Sequence, residues 1–252
     1  MGPDVPSHMA TYRCTGKEVA VKSLRFITFE GGEGGGKSTQ VRFLKERIEQ
    51  LGHEVVVTRE PGGSPRGERI REFILSGQGK PFGAFAEAIL FSAARIDHLR
   101  ETIIPALERG AFVICDRFAD STRAYQGVVG DVPTETIAAL EQVAVGEYHP
   151  TLTIILDLSP ETGLARAQAR REEAGEEVDR FEGEDLEFHR KLRQAFLQIA
   201  ENEPERCCVV STEQPKEATA EEIWRIVSER FLPKDSPSDE HMREMEGADG
   251  QG

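Results

Sequence analysis

The stretch that most constrains the fold of this chain is FITFEGGEGGGKSTQ, residues 26–40. A short apolar run leads into a glycine-rich turn, which is followed by a lysine, two hydroxyl residues and a helical pattern. The stretch fits G-x-x-x-x-G-K-[ST], in which backbone N–H groups surround phosphate oxygens and the next helix adds its positive end. The sequence therefore predicts a P-loop that binds a nucleoside triphosphate.

Residues within and near this loop have separate expected tasks. Lys37 is expected to bridge the outer phosphates, and Ser38 is expected to ligate Mg²⁺. A later apolar run, AFVICD, ends in Asp116, whose carboxylate can lie beside the same metal ion. The residues predicted to bind ATP are Gly31, Gly32, Glu33, Gly34, Gly35, Gly36, Lys37, Ser38 and Thr39.

Strand-like and helical patterns alternate along the chain. The predicted strands are short apolar runs at residues 25–30, 54–58, 111–116, 152–158 and 206–211. Helical patterns lie at residues 37–51, 66–75, 84–108, 134–145, 161–171, 185–202 and 218–231. Strands without polar alternation are typical of a parallel sheet that is covered on both faces. The prediction is an α/β fold, a three-layer sandwich with a five-stranded parallel sheet flanked by helices.

One domain is expected over residues 24–232, with a lid at about residues 164–182. Residues 1–23 show no clear period and are interpreted as an N-terminal extension that is disordered or derived from an expression vector. Residues 233–252 carry six acidic and two basic residues and almost nothing apolar, so they are interpreted as a disordered acidic tail.

The net charge of −14 limits the choice of partners. A general binder of nucleic acid or of a membrane surface needs an excess of lysine and arginine, so neither partner is expected. No apolar run approaches the length that crosses a bilayer, and no apolar signal segment is visible, so the expected location is the cytoplasm. Any anion bound here must meet a local basic cluster.

Arginines follow the ends of two predicted strands. Arg59 follows the second strand, and Arg117 follows Asp116 at the end of the third. Because the carboxyl ends of parallel strands share one edge, both arginines should face the same crevice as the P-loop. Paired guanidinium groups suit a phosphate dianion, which predicts a second phosphorylated ligand and transfer of the phosphate. The alternative is a pair of surface arginines bound to Glu60 or Asp120.

Other uses of a P-loop fit the sequence less well than phosphate transfer. A GTPase switch would carry an Asn/Thr-Lys-x-Asp motif, which the chain lacks, and LSGQG at 75–79 is explained as a helix end with Gly77 as its cap. A dinucleotide site would have an acidic residue after the second strand, where Thr58 and Arg59 stand. A P-loop ATPase without transfer and a regulatory nucleotide-binding protein remain as alternatives.

The segment LARAQARREEAGEEVDRF, residues 164–181, has the features of a lid. Arg166 and Arg170 are one helical turn apart and so share a face. The P-loop contains no arginine, so a lid arginine is the expected source of a guanidinium for the moving phosphoryl group. The alternative is a solvated charged helix.

Five motifs together resemble the thymidylate kinase family: FEGGEGGGKSTQ, TREPGG (58–63), FSAAR (91–95), DRFADSTRAYQG (116–127) and DRFE (179–182). The resemblance covers residues 25–231 and implies the fold of P-loop nucleoside monophosphate kinases. It implies the reaction ATP + dTMP → ADP + dTDP with Mg²⁺, in dTTP biosynthesis. A kinase for another monophosphate, such as dUMP, is the alternative within this class. The family is usually a homodimer, and the apolar third helix is the expected contact surface.

The resemblance also assigns site residues. For dTMP it implies Glu33, Arg59, Phe91, Arg95, Arg117, Ser121, Tyr125 and Gln126, with Arg59 and Arg117 on the phosphate. Phe91 would stack on thymine, with Arg95 and Gln126 near the base. Tyr125 would exclude a ribose 2′-hydroxyl, and Glu33 would reach the 3′-hydroxyl.

The same resemblance implies metal contacts for Ser38 and Asp116 and a cis bond between Glu60 and Pro61. The residues expected to be catalytic are Lys37, Arg59, Arg117, Arg170 and Arg166. Glu33 replaces the aspartate of some relatives, and Phe118 replaces Tyr or His. The arginine-free P-loop matches the branch in which the lid supplies an arginine, for which Arg170 is favoured and Arg166 is next.

Overall fold

The structure, a computed structural model, describes residues 24–174, 181 and 183–232. A parallel five-stranded sheet forms its centre, in the order β2-β3-β1-β4-β5. The strands are β1 (Phe26–Glu30), β2 (Val55–Arg59), β3 (Phe112–Asp116), β4 (Leu152–Asp157) and β5 (Cys207–Ser211). The five predicted strands are therefore confirmed, within one residue at each end.

Helices connect the strands. They are α1 (Lys37–Gln50), α2 (Pro65–Leu75), α3 (Gly83–His98), α4 (Ile104–Glu108), α5 (Ala119–Thr122), α6 (Thr134–Val145), α7 (Pro160–Ala174), α8 (Leu186–Asn202) and α9 (Lys216–Phe231). A 3₁₀ turn lies at Lys80–Phe82, and π-helical segments lie at Leu99–Ile103 and Arg123–Val129.

The two faces of the sheet pack against different helices. Alternate side chains of β1 point to opposite faces of the sheet. Ile27 and Phe29 pack with side chains of α1 and α9, whereas Phe26 packs in a cluster that contains Leu99 and Ile103. This alternation is the two-residue period of a strand, and here both faces are apolar. The three-layer sandwich is confirmed.

The prediction of one regular helix over residues 84–108 is wrong in detail, because the helical run there is not regular throughout. The helical run is continuous, but a π-helical turn at Leu99–Ile103 separates α3 from α4. Pro105 lies at the start of α4 and has no N–H to donate to the preceding turn. A widened turn at this point is consistent with that missing bond.

The register of the strands places the predicted ligand residues along one edge. Asp116 lies beside Arg59 of β2 and beside Phe29 of β1. The P-loop starts at Gly31, two residues after Phe29. The carboxyl ends of β1, β2 and β3 therefore meet, as the sequence predicts for a parallel sheet.

Several predictions fall outside the described residues. The extension at 1–23, the tail at 233–252 and the lid residues 175–180 and 182 lie there, so the domain boundaries stay predictions. Within the described ranges, no helix combines the length and apolar character that a bilayer crossing requires.

Candidate active site

The loop between β1 and α1 has the backbone of a phosphate cradle. Gly31 and Gly34 have φ angles of 126° and 66°, values that side chains disfavour. A Cβ at Gly31 would overlap the carbonyl oxygen of Leu156, and one at Gly34 would overlap that of Gly163. The loop thus lies directly on the end of β4 and on the first turn of α7, and α1 begins at its far end. N–H groups of that helix start are suited to bind an anion.

Lys37, the first residue of α1, points back into this loop. Its Nζ donates to the carbonyl oxygens of Gly32, at 2.8 Å, and Gly31, at 3.2 Å. Burial lowers the pKa of Lys37, and the nearby Arg117 lowers it further, while Glu33 acts against both. The ammonium group is held in the centre of the loop, where outer phosphates of a bound nucleotide would lie.

Two oxygen-bearing side chains lie together beside the loop. The hydroxyl of Ser38 donates to Oδ2 of Asp116 at 3.2 Å. Hydroxyl and carboxylate oxygens are the ligands that Mg²⁺ prefers. Among the residues that the structure describes, no group of three or more His, Cys, Asp or Glu side chains could hold a metal. The pair fits a Mg²⁺ whose other ligands are phosphate oxygens and water.

A pocket of about 450 Å³ joins the loop to the predicted acceptor residues. It is lined by Glu33, Gly34, Gly35, Gly36, Lys37, Ser38, Thr39, Arg59, Phe91, Arg95, Asp116, Arg117, Ser121, Tyr125, Gln126, Arg166 and Arg170 among others. Of the predicted site residues, only Gly31 and Gly32 do not line it, and their carbonyl groups hold Lys37. One cavity therefore brings both sets together.

The two strand-end arginines, Arg59 and Arg117, do not pair with Glu60 or Asp120, the partners expected if they were ordinary surface arginines. Arg59 is half-exposed and pairs with Glu68 at 3.2 Å. Arg117 is largely buried, adopts a φ of 68°, and donates to Glu33 at 2.6 Å and to the carbonyl oxygen of Gly31 at 3.0 Å. Glu60 and Asp120 bind other arginines, Arg95 and Arg206.

Glu33, Arg117 and Tyr125 form a compact group. The hydroxyl of Tyr125 donates to Oε1 of Glu33 at 3.2 Å, and the Arg117 guanidinium lies 5.3 Å from the centre of the Tyr125 ring. Burial would raise the pKa of Glu33, but Arg117 and then Lys37 lower it to about 2. Glu33 is therefore a carboxylate at neutral pH and can accept a hydrogen bond from a ligand hydroxyl.

The residues predicted to lie near the base come from α3 and from the segment after β3. Phe91 and Arg95 lie one helical turn apart on α3, and Gln126 lies in the π-helical segment. Arg95 is 2% exposed and donates to Glu60 through Nε, at 2.8 Å, and to Thr122 at 3.1 Å. The Glu60–Pro61 bond is cis.

The lid arginines differ in their contacts. Both Arg166 and Arg170 lie on α7 and line the pocket. Arg166 donates to the carbonyl oxygen of Thr212, after β5, at 3.1 Å. The start of α7 contacts the loop through Gly163, where a Cβ would overlap the carbonyl oxygen of Glu33.

Sequence reasoning missed two residues, Arg71 in the pocket and Glu30 beside it. Arg71 lines the pocket and donates to the carbonyl oxygen of Pro61 at 2.9 Å. Its sequence signal is weak, because it is one of three arginines on an ordinary amphipathic helix. Glu30, at the end of β1, is fully buried and accepts from the hydroxyl of Ser121 at 2.6 Å and from the N–H of Phe118 at 2.7 Å. Burial and, to a smaller extent, the negative charge of Asp120 raise the pKa of Glu30 to about 7.

Comparisons with known proteins agree on one family. The family profile described as thymidylate kinase matches residues 29–223. The chain is 52% identical over 212 residues to the thymidylate kinase of Nitrobacter winogradskyi. The aligned region covers 84% of this chain and 91% of that protein. It is 55% identical over 209 residues to that of Rhodopseudomonas palustris, covering 82% and 90%.

A solved structure extends this likeness to the fold. The crystal structure of thymidylate kinase from Ehrlichia chaffeensis matches with a TM-score of 0.65 and 30% identity, over 80% of this chain and 97% of that chain. The family profile spans the residues that form the pocket. This chain belongs to the thymidylate kinase family.

Proposed function

We propose that this chain is a dTMP kinase, which transfers the γ-phosphoryl group of ATP to dTMP and forms dTDP and ADP on the route to dTTP. The observation that carries the proposal is a single pocket lined by the P-loop and by Arg59, Arg117 and Phe91. A site of this kind holds two anionic ligands end to end, which a P-loop that only hydrolyses ATP does not require. The relatives' names support dTMP as the acceptor.

Residues 31–39 form the donor side. Backbone N–H groups of the loop and of the first turn of α1 bind the phosphate oxygens of ATP. Lys37 exchanges a loop carbonyl for oxygens of the outer phosphates, because an anion is the stronger partner for an ammonium group.

On the acceptor side, Arg59 and Arg117 hold the phosphate of dTMP. Arg117 is fixed by Glu33 and Gly31, whereas Arg59 is half-exposed and can turn from Glu68 toward the ligand. Phe91 stacks on thymine, since an aromatic face suits a planar base. The remaining acceptor contacts are Glu33 with the 3′-hydroxyl, Tyr125 where a ribose 2′-hydroxyl would lie, Ser121 in the pocket wall, and Arg95 and Gln126 near the base.

Transfer is direct and in line. An oxygen of the dTMP phosphate is already anionic at neutral pH, so no strong general base is needed. That oxygen attacks the γ-phosphorus, the bond from this phosphorus to the bridging oxygen breaks, and ADP leaves with the electron pair. Lys37 and Arg170 stabilise the charge on the moving group, with Arg166 as the second candidate.

Ser38 and Asp116, which are hydrogen-bonded to each other, would hold Mg²⁺. When bound, this ion would neutralise charge on the outer phosphates of ATP. The reaction belongs in the cytoplasm, the compartment that supplies ATP.

A coupled assay that detects ADP tests the function. ATP is offered with dTMP, dUMP, dCMP, dGMP, dAMP or no acceptor, and dTMP should give the highest kcat/KM. ADP release without any monophosphate would favour a P-loop ATPase that drives a partner. ATP binding without ADP release under every condition would favour a regulatory nucleotide-binding protein. A higher kcat/KM with dUMP than with dTMP would show that dUMP is the acceptor.

We infer that the active form is a homodimer that uses the outer face of α3. Phe82, Phe85 and Ile89 are exposed large apolar residues at helical spacing, and Val128 and Val143 are exposed as well. Exposed apolar side chains at helical spacing are typical of a protein interface, and a second copy of the same face can cover them. Light scattering should give a dimer mass for the wild type and a monomer mass for Phe85→Glu. Val209→Glu, on the edge strand β5, should remain dimeric.

A further inference from the structure

One buried imidazole contacts the residues on both sides of Arg59. His98, the last residue of α3, is 0% exposed. Its Nε2 lies 2.6 Å from Oγ1 of Thr58, and its Nδ1 lies 3.0 Å from Oε1 of Glu60. Since Thr58 and Glu60 flank Arg59 in the chain, a single ring holds the backbone from which this arginine projects.

The same ring also acts on Arg95, through Glu60. The second carboxylate oxygen of Glu60 accepts from Nε of Arg95 at 2.8 Å and lies 2.7 Å from its Nη2. A carboxylate only accepts hydrogen bonds, so Nδ1 of His98 carries the proton it donates. With one oxygen on His98 and the other on Arg95, Glu60 has no free rotation, and the guanidinium is held in one orientation.

The loop after Glu60 closes over the ring. A Cβ at Gly63 would overlap both His98 and Thr58, so the loop backbone lies in direct contact with the imidazole. The hydroxyl of Thr102, in the turn after α3, donates to the carbonyl oxygen of Gly63 at 2.7 Å. The loop that follows Arg59 is thereby attached to the helical run that carries Phe91 and Arg95.

We propose that His98 is a positioning residue for the acceptor nucleotide, which aligns the phosphate arginine Arg59 with the base arginine Arg95. The inference rests on the proposed dTMP kinase function. Two arginines that bind opposite ends of one small ligand must keep a fixed separation, and small misplacements are costly for binding and transfer. His98 touches neither the P-loop nor the lid through any bond described above, so its effect should be confined to the acceptor.

Two substitutions of His98 each remove one of the two hydrogen bonds of the imidazole and can keep the other. In His98→Asn the side-chain amide can replace Nδ1 and keep Glu60, while the bond to Thr58 is lost. In His98→Gln the amide can reach the position of Nε2 and keep Thr58, while the bond to Glu60 is lost. Initial rates are measured with dTMP and ATP varied in turn, alongside calorimetric binding of dTMP and thermal unfolding.

The KM for dTMP should rise about tenfold in His98→Gln and less in His98→Asn, with the KM for ATP within about twofold of wild type. Thr58→Val keeps the shape of the side chain but removes the hydroxyl, and it should raise the KM for dTMP by the amount expected for His98→Asn. This variant also tests the proposal if both His98 variants fail to fold. Ile103→Ala, a buried change in the same helical run, should lower Tm without changing that KM.

A lower Tm with a wild-type KM for dTMP in the His98 variants, or in Thr58→Val where those do not fold, would make His98 an ordinary core residue. An equal rise in the KM for ATP would also overturn the proposal. Wild-type protein without dTMP-dependent ADP release would instead refute the proposed function.

Discussion

The guanidinium of Arg117 lies 2.6 Å from the carboxylate of Glu33, and both side chains are largely buried. The contact joins the residue after β3 to the middle of the P-loop, so donor and acceptor sides of the pocket share one ion pair. Removing the arginine leaves a buried carboxylate without its main partner, which is costly. The ion pair therefore fixes the Arg117 guanidinium in place beside the P-loop.

Arg117→Ala should weaken the binding of dTMP by about 3 kcal/mol, which is roughly a hundredfold in Kd, because charge-assisted hydrogen bonds to the phosphate are lost. The pKa of Glu33 should rise, since Arg117 is the largest influence that lowers it. Calorimetry with dTMP and with an ATP analogue measures the effect. Arg109→Ala, which removes an exposed arginine paired with Glu54, is the control. Equal weakening of both nucleotides would contradict the assignment.

Lys37→Ala should lower kcat by roughly 10³-fold or more while the fold stays intact, because the outer phosphates lose their central cation. Steady-state rates and circular dichroism measure the two parts of this prediction. Lys45→Ala removes an exposed lysine of the same helix and should have normal turnover. A near-normal rate in Lys37→Ala would refute its role.

Arg170→Ala should lower kcat by roughly 10²-fold with little change in the KM for dTMP, since contacts made in the transition state appear mainly in kcat. Arg166→Ala should lower kcat less, because the Arg166 guanidinium is already bonded to the Thr212 carbonyl. Steady-state kinetics on both variants distinguishes them. An unchanged kcat in Arg170→Ala would move the catalytic role to Arg166 or to Arg180, which lies outside the described residues.

Gly163→Ala should impair ATP use, since its Cβ would overlap the Glu33 carbonyl and push α7 away from the P-loop. A loss of about 1–3 kcal/mol in stability is expected for such overpacking, with a raised KM for ATP. Gly79→Ala is the matched control, because its Cβ would meet only ordinary contacts, the nearest at 3.6 Å. Similar KM values for ATP in both variants would count against a role for the Gly163 contact.

Glu30→Gln should change how stability depends on pH. The pKa of Glu30 is raised from 4.5 to about 7, so the folded state favours the protonated form. That stabilisation is complete below pH 4.5 and is lost as pH rises through 7, an effect of roughly 3 kcal/mol. Urea unfolding from pH 4.5 to 8 should show wild type losing stability relative to Glu30→Gln. Parallel curves for the two proteins would contradict the raised pKa.

Local features of the sequence were sufficient for much of the fold. The P-loop, the five strands and the position of Arg59 and Arg117 at one sheet edge follow from short-range spacing and from the common direction of parallel strands. The π-helical turn at Leu99–Ile103 does not follow, because apolar periodicity hardly distinguishes a widened turn from a regular one.

The pairings inside the site depend on tertiary structure. Glu33 with Arg117, and His98 with Thr58 and Glu60, are contacts between residues far apart in the chain. Each charged side chain had several possible partners by sequence, and burial selects among them because an unpaired charge inside the protein is costly. The sequence by itself determined the phosphate cradle and the sheet edge. Tertiary packing decided which groups hold the arginines: the P-loop meets Arg117, and α3 packs against the TREPGG loop beside Arg59.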